Sequence, residues 1–76
     1  MSTIALELDT SGLNCPLPIL RAKKSINGLT SGQILQVTAT DPGSVKDFEA
    51  FCKQTGNELL SSGESNGKFI FEIRKP

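Results

Sequence analysis

Histidine is absent from the 76 residues, and so are tryptophan and tyrosine. Without an imidazole no Cys–His or Ser–His pair can form, which excludes protease-type catalysis driven by a histidine base. The same absence, together with the lack of a Cys-x-x-Cys pair, leaves metal sites poorly supplied, so no metal and no cofactor is expected. Only two cysteines occur, far from the density of a disulfide scaffold, and this fits a reducing cytosol. Neither sign of charge dominates, since eight Lys and Arg face eight Asp and Glu. Nothing in that balance favours direct binding of nucleic acid. No apolar run approaches membrane-spanning length, and no apolar stretch follows a basic start. Neither an anchor nor a signal peptide is expected, and the cytoplasm is the expected location. The length fits one domain over residues 1–76, read as a monomer.

What is present converges on Leu13-Asn14-Cys15-Pro16-Leu17-Pro18-Ile19-Leu20. Pro18 fixes the register, because inside a helix it would break a bond to Asn14 and clash with that carbonyl. With Cys15 as N-cap, Pro16 becomes the first helical position and Pro18 the third, where amides have no intrahelical partner. Leu17 then has to be helical directly before a proline, a local conflict of the kind functional sites tolerate. A helix N-terminus carries roughly half a positive charge, which favours a thiolate. The Cys15 pKa is therefore expected below the ~8.5 of a free cysteine. The Leu17 amide is the natural partner for the sulfur, with Ile19 and Leu20 also pointing out of the helix end. A plain helix cap at Cys15 is the bland alternative, and the double proline tips the reading toward a functional thiol.

The rest of the chain builds a frame for that thiol. Ile4-Ala5-Leu6-Glu7-Leu8-Asp9 alternates, with Ile4, Leu6 and Leu8 on one face of a half-buried strand. A helix from Pro16 to about Asn27 carries Ile19, Ala22 and Ile26 as its apolar stripe, and Gly28 stops it. Arg21, Lys23 and Lys24 lie off that stripe. They read either as cations that complement the helix dipole or as a docking patch, for which Arg21 and Lys24 are the candidates. Leu35 to Thr40 alternates again as a second strand. The strand–helix–strand unit implies a parallel crossover, with Cys15 at the carboxyl ends of the strands, where ligand chemistry concentrates.

Asp41-Pro42-Gly43-Ser44-Val45-Lys46-Asp47 opens the second helix. Either Asp41 caps it, or Ser44 does with Asp47 three residues on. Asp41 is also a candidate for partner docking at the rim that holds Cys15. Cys52 shares an apolar stripe with Val45, Phe48 and Phe51 and reads as core. It lies about two turns into its helix, on the order of 12 Å from the rim along the axis. A disulfide needs Cα atoms within ~7 Å, so none is expected with Cys15. Glu58 to Ser62 is a weak strand leading to a Ser65-Asn66-Gly67 turn, and Lys68 to Lys75 is the last strand. Ile34, Ile70 and Ala5 could meet as a small apolar patch on the open face. Alternating strands with one apolar face, covered by both helices, make a two-layer α/β (α+β) sandwich, βαβαββ, with a four-stranded mixed sheet.

Gly12-Leu13-Asn14-Cys15-Pro16-Leu17-Pro18 closely resembles the signature of the TusA (SirA-like) sulfur-carrier family, Cys-Pro-x-Pro at the start of the first helix. Thr40-Asp41-Pro42-Gly43 is similar to that family's second turn, and the likeness extends over nearly the whole chain. The resemblance implies the arrangement found in the C-terminal domain of translation initiation factor three. It also implies a sulfur carrier and sulfurtransferase in which Cys15 holds sulfane sulfur as a persulfide, shaped by Pro16, Leu17 and Pro18. The donor would be a cysteine desulfurase or rhodanese-type protein. The acceptor would serve tRNA thiolation, molybdenum-cofactor work or sulfur oxidation. Two rival readings stand beside it. One is a regulatory or RNA-binding module in which Cys15 is only a cap, and the other a peroxide-sensing thiol, for which no resolving cysteine lies within reach.

Overall fold

The computed structural model describes residues 4–76 and gives six elements. They are β1 (Ile4–Thr10), α1 (Leu17–Asn27), β2 (Ile34–Ala39), α2 (Ser44–Thr55), β3 (Glu58–Ser65) and β4 (Lys68–Arg74). The expectation of no signal peptide rests in part on residues 1–3, which lie outside that range. The sheet runs in the order β1-β2-β4-β3, with β1 parallel to β2 and the other neighbours antiparallel. This is the expected βαβαββ mixed sheet. Among the described residues no helix is long and apolar enough to cross a membrane.

Alternation along β2 and β4 decides which face the helices cover. Leu35, Val37 and Ala39 of β2 and Phe71 and Ile73 of β4 are fully buried. They join Ala22 and Ile26 of α1 and Phe48, Phe51 and Cys52 of α2 in one core. Gln36, Thr38 and Glu72 alternate with them and stay half-exposed on the other face. Phe48 stacks on Phe71 with ring centroids 4.6 Å apart, and Phe51 meets Phe48 edge-on at 6.4 Å. Such pairs contribute about 0.5–1.5 kcal/mol each beyond the area they bury. The Phe48–Phe71 pair pins α2 to the sheet.

Two edges depart from the sequence reading. Ile4 pairs with Ile34 while Leu6 pairs with Leu35, so a bulge at Ala5 puts Ile4 and Leu6 on opposite faces. The expected Ile4–Leu6–Leu8 stripe is broken there, and Leu6 stays 41% exposed on an edge strand beyond the helices' cover. On the open face Ile34 is nearly buried, whereas Ala5 is exposed and Ile70 half-exposed. At the other edge β3 runs on to Ser65, three residues past its expected end. Its Ser61, Ser62, Gly63 and Glu64 have little strand preference of their own, and pairing with β4 supplies the order. Asn66 (φ 52°) and Gly67 (φ 77°) are both left-handed, as a tight two-residue hairpin turn requires.

Candidate functional site

The parallel β1–α1–β2 unit brings the loop after β1 beside the loop after β2. Two bonds stitch them together: the Gly12 amide donates to Thr40 Oγ1 and the Cys15 amide to Asp41 Oδ2, each at 2.9 Å. A further clasp lies below, where Thr10, itself buried, donates its hydroxyl to the Thr38 carbonyl at 2.7 Å. Cys15 is thus held at the carboxyl ends of β1 and β2, exposed and free of any disulfide.

Helix α1 begins one residue later than the sequence suggested. Pro16, not Cys15, is its cap residue, Leu17 its first helical position and Pro18 its second. The Cys15–Pro16 peptide bond is cis. The Leu17 amide donates to the Asn14 carbonyl at 2.8 Å and closes a turn that ends where the helix starts. It is therefore spent and cannot serve the sulfur, contrary to expectation. The Leu20 amide is spent as well, on the Pro16 carbonyl at 3.1 Å. With no N–H on either proline, Ile19 keeps the one amide of the expected trio that is not bonded in this way. Leu17 remains helical directly before Pro18, so the local conflict is real. Pro18 itself is buried, while the Leu17 and Leu20 side chains are exposed at 44% and 55%.

Helix α2 also starts without a side-chain cap. Gly43 is its cap residue, and neither Asp41 nor Ser44 caps it. The Asp41 carboxylate accepts from the Cys15 amide on Oδ2 and from the Gly43 amide on Oδ1 at 3.4 Å, and the Ser44 hydroxyl is buried without a partner. The backbone closes the turn: the Ser44 amide reaches the Asp41 carbonyl and the Asp47 amide the Gly43 carbonyl. Asp47, considered in the sequence only as half of a capping box, faces the cysteine.

The electrostatics of the thiol follow from those two aspartates. Cys15 Sγ, an Asp41 carboxylate oxygen and an Asp47 carboxylate oxygen all lie within 4.8 Å of one another. The Cys15 pKa is raised, first because the nearby Asp47 carboxylate is a hydrogen-bond acceptor that favours the protonated thiol, then by lost hydration and by the negative charges of Asp47 and Asp41. The expectation of a lowered value fails here. A helix end supplies a fractional charge, and two full charges of the opposite kind outweigh it. One thiol and two half-exposed carboxylates are a meagre ligand set for a metal ion.

A shallow groove of about 250 Å3 opens beside the sulfur, lined by Cys15, Pro16, Ile19, Asp47, Ala50, Phe51 and Gln54. Sequence reasoning missed its α2 wall. The signal was there in the spacing of Asp47, Ala50, Phe51 and Gln54, which places one face of α2 toward α1. Arg21 and Lys24 are exposed on α1 and do not line this groove. Cys52 sits in the core, 5% exposed, and burial pushes its pKa up to about 11.

The family model described as sulfurtransferase TusA matches residues 6–75 of this chain. The chain belongs to the TusA family. It is 68% identical over 75 residues to the sulfur carrier protein TusA of Allochromatium vinosum, covering 99% of each. It is 52% identical over 67 residues to a putative sulfur carrier protein of Neisseria meningitidis serogroup A, covering 88% of this chain and 90% of that one. A crystal structure of a SirA-like protein from Desulfitobacterium hafniense superposes with a TM-score of 0.81 at 24% identity, over 91% of this chain and 95% of that one. At that identity the likeness speaks for the fold. Of the TusA-family signature, Cys15 to Pro18, Cys15 and Pro16 line the groove, with Ile19 of α1 beside them.

Proposed function

We propose that this protein is a cytoplasmic sulfur carrier that accepts sulfane sulfur as a persulfide on Cys15 and passes it to an acceptor protein. The observation that carries the proposal is the placement of Cys15, exposed at the rim where α1 begins, in a chain of the TusA family. A carrier needs a sulfur that two partners can approach in turn, and an exposed rim offers that. The donor is of the cysteine desulfurase or rhodanese type, and the acceptor works in tRNA thiolation, molybdenum-cofactor synthesis or sulfur oxidation. Pro16, Leu17 and Pro18 shape the presentation of the sulfur by stiffening the loop and leaving few amides near it. The exposed Leu17 side chain offers apolar contact to a docking partner, with Arg21 and Lys24 beyond it on α1 and Asp41 on the neighbouring loop. The 76 residues act as one monomeric domain without a cofactor of their own.

Transfer is thiol exchange, in which a thiolate attacks the outer sulfur of a persulfide and a second thiolate leaves. Incubation with cysteine and a desulfurase, or with thiosulfate and a rhodanese, should add one sulfur atom by mass, removable by reductant and mapping to Cys15. Cys15→Ser should stay folded and take up none. Uptake that persists in that variant overturns the proposal.

A further inference from the structure

The geometry points to Asp47 as a positioning residue that holds the proton of the unloaded Cys15, so that sulfur-borne negative charge appears at this rim only once the cysteine is loaded. This deepens the sulfur-carrier reading and rests on it. Three observations carry it. The thiol and the two carboxylates share one small volume, each donor atom within 4.8 Å of the others. Asp41 is committed to the Cys15 amide, which leaves Asp47 as the carboxylate available to the S–H. Among the described residues no cation lines the groove: beside Cys15 it is formed by Pro16, by Ile19 of α1 and by Asp47, Ala50, Phe51 and Gln54 of α2, and Asp41 comes from the loop. The negative charges of Asp47 and Asp41 both favour the protonated form. Two carboxylates beside a thiol disfavour a third negative charge.

Loading changes this balance. The added sulfur stands one S–S bond, about 2 Å, farther from Cys15 Cβ, and a persulfide is a stronger acid than a thiol. It therefore ionises where the thiol does not, and the rim carries three negative charges instead of two. Written in full, the step is Cys15–SH plus a donor R–S–S⁻ giving Cys15–S–S⁻ plus R–SH. The donor's S–S bond breaks, the Cys15 Sγ–S bond forms, and the thiol proton ends on the donor's sulfur. No oxidant or reductant is consumed. A donor must first offset the aspartates with a cation of its own to free the attacking thiolate. Unengaged, the empty carrier reacts slowly near neutral pH.

The test is the pH profile of Cys15 alkylation by iodoacetamide, read by peptide mass, in the wild type, Asp47→Asn and Glu49→Gln. Glu49 is exposed and two residues along α2, hence turned away from the thiol, and controls for loss of one negative charge. The wild-type midpoint should lie above that of free cysteine. Asp47→Asn should lower it by about one pH unit or more, roughly tenfold faster alkylation near neutrality, and Glu49→Gln should leave it in place. Added salt should lower the wild-type midpoint more than that of Asp47→Asn. An unchanged midpoint in Asp47→Asn, or a wild-type midpoint at or below free cysteine, overturns the inference. Sulfur loading of the same samples separates the two readings. A shifted midpoint without loading keeps the proton-holding role and removes the carrier, and loading without a shift does the reverse.

Discussion

The two cysteines are both kept protonated, by opposite means. At Cys52 the cause is burial between α2 and the sheet, which no solute can relieve without opening the core. At Cys15 the cause is a pair of aspartates on an open rim, which a cation can neutralise. Burial silences a thiol permanently, whereas charge silences it conditionally. On the sulfur-carrier reading, a cysteine that hands sulfur to others on contact needs the second kind of restraint, and a cysteine elsewhere the first.

The contrast predicts its widest separation in reaction rates. In the native protein at mildly alkaline pH, thiol reagents should modify Cys15 readily. Cys52 should react only through opening of the core, on the order of a hundredfold or more slower. Thiol counting before and after unfolding checks this, and two equally fast thiols would erase the distinction. Salt should sharpen it, since screening acts on the exposed pair and leaves the buried thiol untouched.

A second measurement isolates burial. The Cys52 pKa is raised in the folded chain to about 11 against ~8.5 unfolded, so the folded state retains a proton that the unfolded state gives up. That stability is fully present below pH ~8.5 and is lost as pH rises toward 11, at up to about 1.4 kcal/mol per pH unit. Denaturant unfolding in that window should show the slope in the wild type and a weaker one in Cys52→Ala. Equal slopes would assign the alkaline loss to other groups.

The smallest effect concerns the proline frame. Pro18→Ala restores an amide at the second position of α1, near the thiol, and loosens the unfolded chain. Stability should fall by about 0.4–1 kcal/mol, while the rate of sulfur transfer falls further. A variant that transfers at the wild-type rate would show that Pro18 serves the fold alone.

The sheet and the core were legible because Leu35, Val37, Ala39, Phe71 and Ile73 alternate cleanly and Phe48, Phe51 and Cys52 recur at helical spacing. Cys15 was legible because two prolines in three residues limit where α1 can start. Its chemistry was not. Local reasoning sees the helix end and predicts an acidic thiol, but Asp41 and Asp47 come from the far side of the crossover, and only the folded chain brings them to the sulfur. The α1 cap was misplaced by one residue for a related reason: the Asn14 carbonyl takes the Leu17 amide, a choice that sequence spacing does not reveal. The bulge at Ala5 was hidden because a one-residue insertion leaves the alternation of Ile4, Leu6 and Leu8 intact on paper.

The bonds from Gly12 to Thr40 and from Cys15 to Asp41 have a kinetic consequence. They bind the cysteine loop to its neighbour, so the sulfur is displayed at a fixed place and does not swing between separate stations. On the sulfur-carrier reading, donor and acceptor must then occupy the same patch of rim one after the other. The turnover is of the ping-pong kind, and each partner competes with the other for the carrier. An excess of acceptor starves loading and an excess of donor blocks discharge. Flux is greatest when the two are balanced.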